Sequence, residues 1–217
     1  MSNDTLLKDP REQRPLQQGT DSAMTGRISF YQELMQQPVS LMFIDSILPH
    51  HQRLNYALIG DTASENDSFS PKITGPHSFQ VGMVRARSGN GPAFHTHDYI
   101  EAFMPLTDHK WRFYWGETET RVDGEAVIGK WDLISLPPKL WRGFEVLEGQ
   151  EGEAHILGIL EEHKVFSSKD PYWSPFVIQA AEREGFFADE SGKMQKPNRY
   201  AQLEQEMLSK LEAFKHD

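Results

Sequence analysis

Two histidines, His95 and His97, stand two residues apart in the segment FHTHDYIE, and Glu101 follows four residues after the second. The segment is rich in β-branched and aromatic residues, and glycine and proline precede it, which is typical of a strand. Residues two apart on a regular strand share a face, so the three side chains would point the same way. Two imidazoles and one carboxylate on one face match an open divalent-metal site. The alternative is two surface histidines beside a solvated glutamate; the apolar neighbours favour the metal site.

The residues around this segment predict a mostly β protein. Turn signals separate many short runs of β-forming residues, and this pattern indicates a sandwich or a barrel. The predicted strands are Leu54–Ile59, Phe79–Arg87, Ala93–His97, Tyr99–Leu106, Lys110–Trp115, Thr118–Val127, Asp132–Leu136, Trp141–Val146 and Glu153–Leu160.

Helical patterns are confined to the two ends of the chain. The apolar spacing predicts helices over Ile28–Gln36, Pro175–Glu184 and Tyr200–Phe214, and Val39–Leu48 could be helix or strand. We expect the last helix to pack on the barrel or to form a dimer contact. The domain plan is a disordered arm over residues 1–25, an N-terminal helix and strand extension over 26–76, a barrel over 77–165 and C-terminal helices over 166–217.

Composition excludes several classes of function. The chain has 217 residues, 38% of them hydrophobic, a net charge of −10 and no cysteine. The absence of cysteine excludes disulfides, thiolate nucleophiles and cysteine-ligated zinc. The negative charge argues against nucleic acid as a partner, because phosphate binding needs a basic patch. No apolar run has the length of a membrane span, and no secretory signal pattern is present, so the default expectation is a cytoplasmic protein.

The sequence resembles the cupin superfamily of jelly-roll β-barrels in the region from about residue 82 to residue 160. The first motif of that family is a glycine, five residues, His-x-His, three or four residues and a glutamate, and Gly89, His95, His97 and Glu101 match it in order. The family's closing glycine is replaced by Asp108, which a turn also accepts. The resemblance implies a single jelly-roll barrel with helical additions at both ends.

The second cupin motif is present mainly in outline. In the segment WDLISLPPKLWRGFEV, Pro137 matches the family's proline. Trp131 and Lys139 stand where the family has glycines, Arg142 stands where it has a histidine, and Val146 replaces an asparagine. The departure at Arg142 bears most on function, because that histidine is a metal ligand in the family.

The resemblance implies that His95, His97 and Glu101 bind a divalent metal, with iron(II) the first choice and manganese, nickel or zinc as alternatives. A guanidinium cannot coordinate a cation, so Arg142 has two interpretations. It could lie beside the metal and hold an anionic group of the substrate, since its fork matches a carboxylate. It could instead pair with Glu101, in which case the metal is lost and the barrel only binds or scaffolds.

Strand parity suggests a wall for the pocket. Phe103 shares parity with Glu101, Phe144 shares parity with Arg142, and Phe113 belongs to an alternating aromatic stripe. Arg85 could supply a second contact to an anion or lie at the barrel rim. His155 is a candidate extra ligand, but its apolar neighbours on both faces leave its direction open, and a buried hydrogen-bonded histidine is the alternative.

These features predict a metal-dependent enzyme of dioxygenase type. Its substrate would be a small anionic, enol-like or diketone-like molecule, oriented by Arg142. An isomerase or decarboxylase of the same family is an alternative, and so is a barrel that binds a small ligand without metal or chemistry. A homodimer is expected, because cupins often pair barrel to barrel.

Overall fold

The computed structural model describes residues 24, 26–38, 42–60, 70–75, 77–161, 171–190 and 194–212. The predicted arm over residues 1–25 lies outside this part of the chain, apart from Met24, and so does most of the loop predicted between Gly60 and Pro76. Within it, three helices are described as α1 (Tyr31–Leu34), α2 (Pro175–Arg183) and α3 (Tyr200–Glu212), together with a 3-10 helix at Phe43–Ser46.

Twelve strands follow one another along the described residues. They are β1 (Arg53–Ile59), β2 (Phe79–Arg87), β3 (His95–Thr96), β4 (Glu101–Pro105), β5 (Trp111–Gly116), β6 (Gly124–Ile128), β7 (Ile134–Leu136), β8 (Trp141–Val146), β9 (Glu153–Glu161), β10 (Tyr172–Trp173), β11 (Phe187–Ala188) and β12 (Met194–Gln195). The predicted strands Phe79–Arg87 and Trp141–Val146 have the observed bounds, and the other predicted strands differ at one or both ends.

Two five-stranded antiparallel sheets form the body of the protein. One has the order β1-β2-β9-β4-β7 and the other the order β10-β3-β8-β5-β6. From β2 to β9 the chain passes from one sheet to the other at every step except the β5–β6 hairpin, which is the jelly-roll order, while β1 and β10 extend one edge of each sheet. The predicted mostly β jelly-roll fold is therefore confirmed, as two facing sheets that a bridge between Ser88 and Val146 connects.

Each sheet has an inner face directed at the other sheet. The inner core contains Phe103, Trp111, Phe113 and Phe144, with Phe113 stacked on Phe144 at a ring-centroid distance of 4.6 Å. Alternation along β9 places Ala154 and Ile156 in the same core, because successive strand residues point to opposite faces.

The terminal helices cover the outer face of the first sheet. Met207 of α3 and Leu34 of α1 pack with Leu54, Tyr56 and Met83, which point outward from β1 and β2. This contact accounts for the amphipathic pattern of the last helix by packing on the barrel. A predicted end at Phe214 lies outside the described residues. None of the described helices has the length and apolar character needed to cross a membrane.

Candidate metal centre

The structure brings His95, His97 and Glu101 together in the interior. All three residues are buried, and a ligand atom from each lies within 4.8 Å of the others. His95 belongs to the second sheet, where it pairs with Arg142 and Trp173, whereas Glu101 belongs to the first sheet. The three side chains thus meet across the space between the sheets and do not come from one continuous strand.

His95 is held in an orientation suited to binding a metal. Its Nδ1 lies 2.6 Å from the carbonyl oxygen of Ala93, so Nδ1 carries the proton and Nε2 keeps its lone pair. Burial lowers the pKa of His95 well below its usual value, and the positive charges of neighbouring groups act in the same direction. The ring is therefore neutral at pH 7, which is the protonation state of a metal ligand.

His97 is placed by aromatic packing and by its own backbone. Its ring stacks on Tyr99 at a centroid distance of 4.6 Å and meets the His95 ring edge-on at 4.7 Å. Its carbonyl oxygen accepts a hydrogen bond of 2.7 Å from the backbone N–H of Lys139. The turn that follows β7 therefore fixes the position of His97.

Arg142 pairs directly with Glu101. Its Nε and Nη2 donate to Glu101 Oε2 at 3.1 and 2.8 Å. Its Nη1 donates to Thr96 Oγ1 at 3.1 Å and to the carbonyl oxygen of Leu140 at 2.8 Å. Four of its five N–H donors are thus engaged by the protein, and the arginine is fully buried.

This pairing combines parts of both interpretations of Arg142. The arginine binds Glu101, as in the metal-free alternative, yet the two histidines remain directed at the same carboxylate. Glu101 Oε1 lies 3.6 Å from His97 Nε2, while Oε2 faces Arg142. The arginine therefore occupies one carboxylate oxygen and leaves the other on the side of the histidines. Its donors are already committed, so substrate orientation is not the role that this geometry supports.

The turns of the second motif preserve a backbone feature of the glycines they replace. Trp131 and Lys139 have φ angles of 69° and 64°, in the left-handed region where glycine is favoured. Gly89, which matches the first motif, has a φ of 72°. The family's glycine positions are therefore recognisable by conformation at sites where the residue type has changed.

The strain at Lys139 can be tested by substitution. Because its side chain is exposed, Lys139→Gly is expected to raise the free energy of unfolding by about 1 kcal/mol, since glycine removes the left-handed penalty. Lys139→Ala keeps a Cβ and should leave the stability unchanged. Chemical denaturation of the three proteins measures the difference, and equal stabilities for the two variants would contradict this expectation.

A cavity of about 70 Å³ lies next to the three candidate ligands. Phe103, Phe144 and Leu160 contribute apolar walls, and Met42, Pro171 and Trp173 contribute from segments outside strands β1 to β9. The Trp173 ring lies 5.6 Å from the His95 ring. The cavity therefore has room for a small ligand in contact with the candidate metal site and is lined largely by apolar groups.

Two of the predicted pocket residues lie elsewhere. Phe113 is buried behind Phe144 and does not line this cavity. Arg85 is on the outer face of β2, where Nη1 donates to Tyr56 Oη at 3.1 Å and Nη2 donates to Glu153 Oε1 at 2.6 Å. Strand parity alone does not tell which face of β2 is inner, which explains the error at Arg85. Phe113 does point inward, but it packs deeper in the core, against Phe144.

His155 also lies on the outer face. It is opposite Arg85 in the pairing of β2 with β9, and its ring lies 6.1 Å from that of Tyr31. Burial lowers the pKa of His155, with the charge of Arg85 contributing. The prediction of His155 as an extra ligand is therefore wrong, because the sheet separates it from the cavity.

Two polar residues of the cavity were missed in the sequence. Arg53 and Asn55 of β1 are both buried and line the cavity beside His95, His97 and Glu101. Arg53 Nε donates to Asp45 Oδ2 at 2.9 Å. The sequence feature that could have indicated them is their spacing of two residues, which places both side chains on one face of the first strand.

No protein-family model matches the sequence, and no curated protein matches it significantly. Solved structures do match. A cupin 2 conserved barrel domain protein from Rhodopseudomonas palustris aligns with 15% identity and a TM-score of 0.43, over 68% of this chain and 84% of that one. A cupin-2 domain protein from Rhodospirillum rubrum aligns with 12% identity and a TM-score of 0.41, over 76% and 82% of the two chains.

A structure described as that of DMSP lyases aligns with 14% identity and a TM-score of 0.42, over 57% of this chain. The alignment spans about half of that protein, 53% of its length. Likenesses of this degree carry no argument about activity. The jelly-roll strand order, the motif from Gly89 to Glu101 and the left-handed turns at Trp131 and Lys139 are features of the chain itself. Together they make it a jelly roll whose first motif resembles that of the cupins.

Proposed function

We propose that this protein is a metal-dependent cupin enzyme of dioxygenase type that acts on a small anionic organic substrate. The observation that carries the proposal is the convergence of His95, His97 and Glu101, whose ligand atoms lie within 4.8 Å of one another beside a largely apolar cavity. Two imidazoles and one carboxylate fit iron(II), and manganese, nickel and zinc also accept these donors. Iron on such a face would supply open coordination positions for substrate and dioxygen.

The residues around the triad support this role. The Ala93 carbonyl holds His95 through Nδ1 and leaves Nε2 for the metal. Arg142 holds Glu101 through Oε2 and leaves Oε1 on the side of His97. These partners orient the ligands from behind, as the outer hydrogen bonds of metal sites commonly do.

The charge balance favours an anionic substrate. Glu101 is already paired with Arg142, and histidine binds a metal as the neutral imidazole. A bound divalent cation would therefore leave about two positive charges uncompensated in a largely apolar cavity. A carboxylate or an enolate oxygen would reduce that charge, whereas a neutral substrate would not. Phe103, Phe144 and Leu160 would meanwhile exclude water and pack against the carbon skeleton.

Elemental analysis tests the proposal. Protein purified without added metal is expected to carry close to one equivalent of a transition metal, and the His95→Ala, His97→Ala double variant is expected to carry almost none. His155→Ala is a matched control, because His155 is a partly buried histidine on the opposite face of the sheet. Retention of metal by the double variant, or loss of metal in the control as well, would refute the assignment.

A second candidate function is a cupin that binds a small ligand without metal. The ion pair between Arg142 and Glu101 favours it, because the arginine already balances the charge of the carboxylate without a cation. This candidate predicts protein that is folded and metal-free after purification and that does not gain thermal stability when iron(II) or zinc is added. The metal-dependent proposal predicts the opposite result in both measurements.

A further inference from the structure

The first strand presents a polar inner face and an apolar outer face. Leu54 and Tyr56 pack outward under the terminal helices, while Arg53 and Asn55 line the cavity that holds the candidate metal ligands. Polar residues on the inner face of a jelly roll lose their water, so they persist only where something in the interior binds them. The question is which partner these two residues have.

Among the described residues, Arg53 is anchored through one nitrogen. Its Nε donates to Asp45 Oδ2, and Asp45 is fully buried. In the described part of the chain this is the one hydrogen bond of the guanidinium, so no described residue engages Nη1 or Nη2. Arg53 is 7% exposed. A fork with two free nitrogens, held in place from behind, matches the two oxygens of a carboxylate.

No described residue bonds the side-chain amide of Asn55. The residue is 1% exposed, and neither its Oδ1 nor its Nδ2 has a hydrogen-bond partner among the described residues. The large majority of buried polar side-chain atoms in folded proteins have a hydrogen-bond partner. An unsatisfied amide on the wall of a ligand-sized cavity therefore points to a polar group that arrives with a ligand.

We propose that Arg53 and Asn55 form the substrate-recognition pair of this cavity and bind a small carboxylate that carries a second oxygen, as hydroxyl or carbonyl. The carboxylate would bond Nη1 and Nη2 of Arg53, and the second oxygen would bond the Asn55 amide. Phe103, Phe144 and Leu160 would pack against the carbon skeleton. This inference rests on the proposed function for the presence of a metal, but it names the substrate class and assigns to Arg53 the role expected of Arg142.

The test uses the full chain and a defined panel of ligands. Lactate, pyruvate, malate, oxaloacetate and 2-hydroxybenzoate are titrated calorimetrically, each beside its uncharged amide, into protein with and without zinc. At least one carboxylate is expected to bind, with an affinity at least tenfold above that of its amide. Absence of binding by every carboxylate at millimolar concentration, or equal binding of a carboxylate and its amide, would overturn the proposal.

Variants then locate the contact. Because Arg53 pairs with Asp45, Arg53→Gln is made together with Asp45→Asn, so that no unpaired charge is left buried. This double variant is expected to lower carboxylate affinity at least tenfold, and Asn55→Ala is expected to lower it about fivefold or more. Asp45→Asn alone keeps the guanidinium and is a reference for the double variant. Arg112→Gln is a matched control, because that arginine pairs with Glu145 near the surface. Unchanged affinity in both cavity variants would refute the assignment.

Carboxylate recognition by Arg53 and Asn55 and metal binding by the three candidate ligands are measured separately. Metal content is measured on every variant, and Arg53 is not among the candidate ligands. Protein that holds metal but binds carboxylates independently of Arg53 and Asn55 would refute only the recognition pair. Metal-free protein that still binds a carboxylate through Arg53 would refute only the metal-dependent enzyme.

Discussion

Replacement of Arg142 by leucine is expected to lower the free energy of unfolding of the metal-free protein by about 3–5 kcal/mol, the usual cost of removing one member of a buried ion pair. The Glu101 side chain is only 6% exposed, and Arg142 supplies two hydrogen bonds to its Oε2. Leucine fills part of the space but leaves the carboxylate without a countercharge. Urea denaturation at pH 7.5 in the presence of a chelator measures the loss.

A metal should compensate for this substitution. A divalent cation bound by His95, His97 and Glu101 takes over the electrostatic role of the guanidinium, so zinc is expected to stabilise Arg142→Leu more than it stabilises the wild type. In the double variant Arg142→Leu, Glu101→Gln neither of these two positions carries a charge, and most of the lost stability should return without metal. If Arg142→Leu is as stable as the wild type in the presence of the chelator, the ion pair between Arg142 and Glu101 contributes little to the stability of the fold.

The strand plan was predictable because turn residues separate the strands clearly. The strands from Phe79 to Arg87 and from Trp141 to Val146 have the bounds expected from the sequence. The strands predicted at Ala93–His97 and Tyr99–Leu106 are shorter in the structure, at His95–Thr96 and Glu101–Pro105. Between them the chain crosses from one sheet to the other, which a periodicity of two does not reveal.

The candidate ligands were identified by an argument that was only partly sound. Parity along one strand predicted that His95, His97 and Glu101 share a face. In the structure they converge because the two sheets face each other, with His95 in one sheet and Glu101 in the other. The spacing of the cupin motif encodes this crossing, so the resemblance carried information that strand periodicity lacked.

The inner face of the first strand shows why polar cavity residues were missed. A strand that alternates polar and apolar residues is ordinarily placed with its apolar face toward the core. Here the apolar residues Leu54 and Tyr56 pack under α1 and α3, and the polar residues Arg53 and Asn55 face the interior. The terminal helices provide a second core outside the sheet, and nothing in the local pattern of β1 distinguishes the two cores.

The same ambiguity explains the errors at Arg85 and His155. Both residues alternate correctly with their neighbours, and both lie on the face that the terminal segments cover. Arg85 pairs with Glu153 on the adjacent strand β9, also by its Nε, and this long-range contact could not be inferred from spacing.

The burial of Asp45, which outweighs its pairing with Arg53, gives the stability of the protein a defined pH dependence. Burial raises the pKa of Asp45 from 3.8 to about 6, although the charge and hydrogen bond of Arg53 and the backbone of Met42 lower it. The folded state therefore binds a proton more tightly than the unfolded state does. Because the unfolded state releases this proton first, the contribution of Asp45 to stability is complete below pH 4 and is lost as the pH rises through 6.

A comparison with Asp45→Asn isolates this effect, because asparagine does not titrate and still accepts a hydrogen bond. Between pH 4 and pH 7 the unfolding free energy of the wild type should fall by up to about 3 kcal/mol relative to the variant, since each pKa unit corresponds to about 1.4 kcal/mol. Asp108→Asn is the control, because Asp108 pairs with Lys130 at the surface with its side chain 90% exposed. The difference in unfolding free energy between Asp108→Asn and the wild type should vary little between pH 4 and pH 7. If the difference in unfolding free energy between the wild type and Asp45→Asn does not change with pH, the carboxyl is solvated or already fully balanced by Arg53. If the wild type instead gains stability relative to the variant as the pH rises, the ion pair outweighs burial.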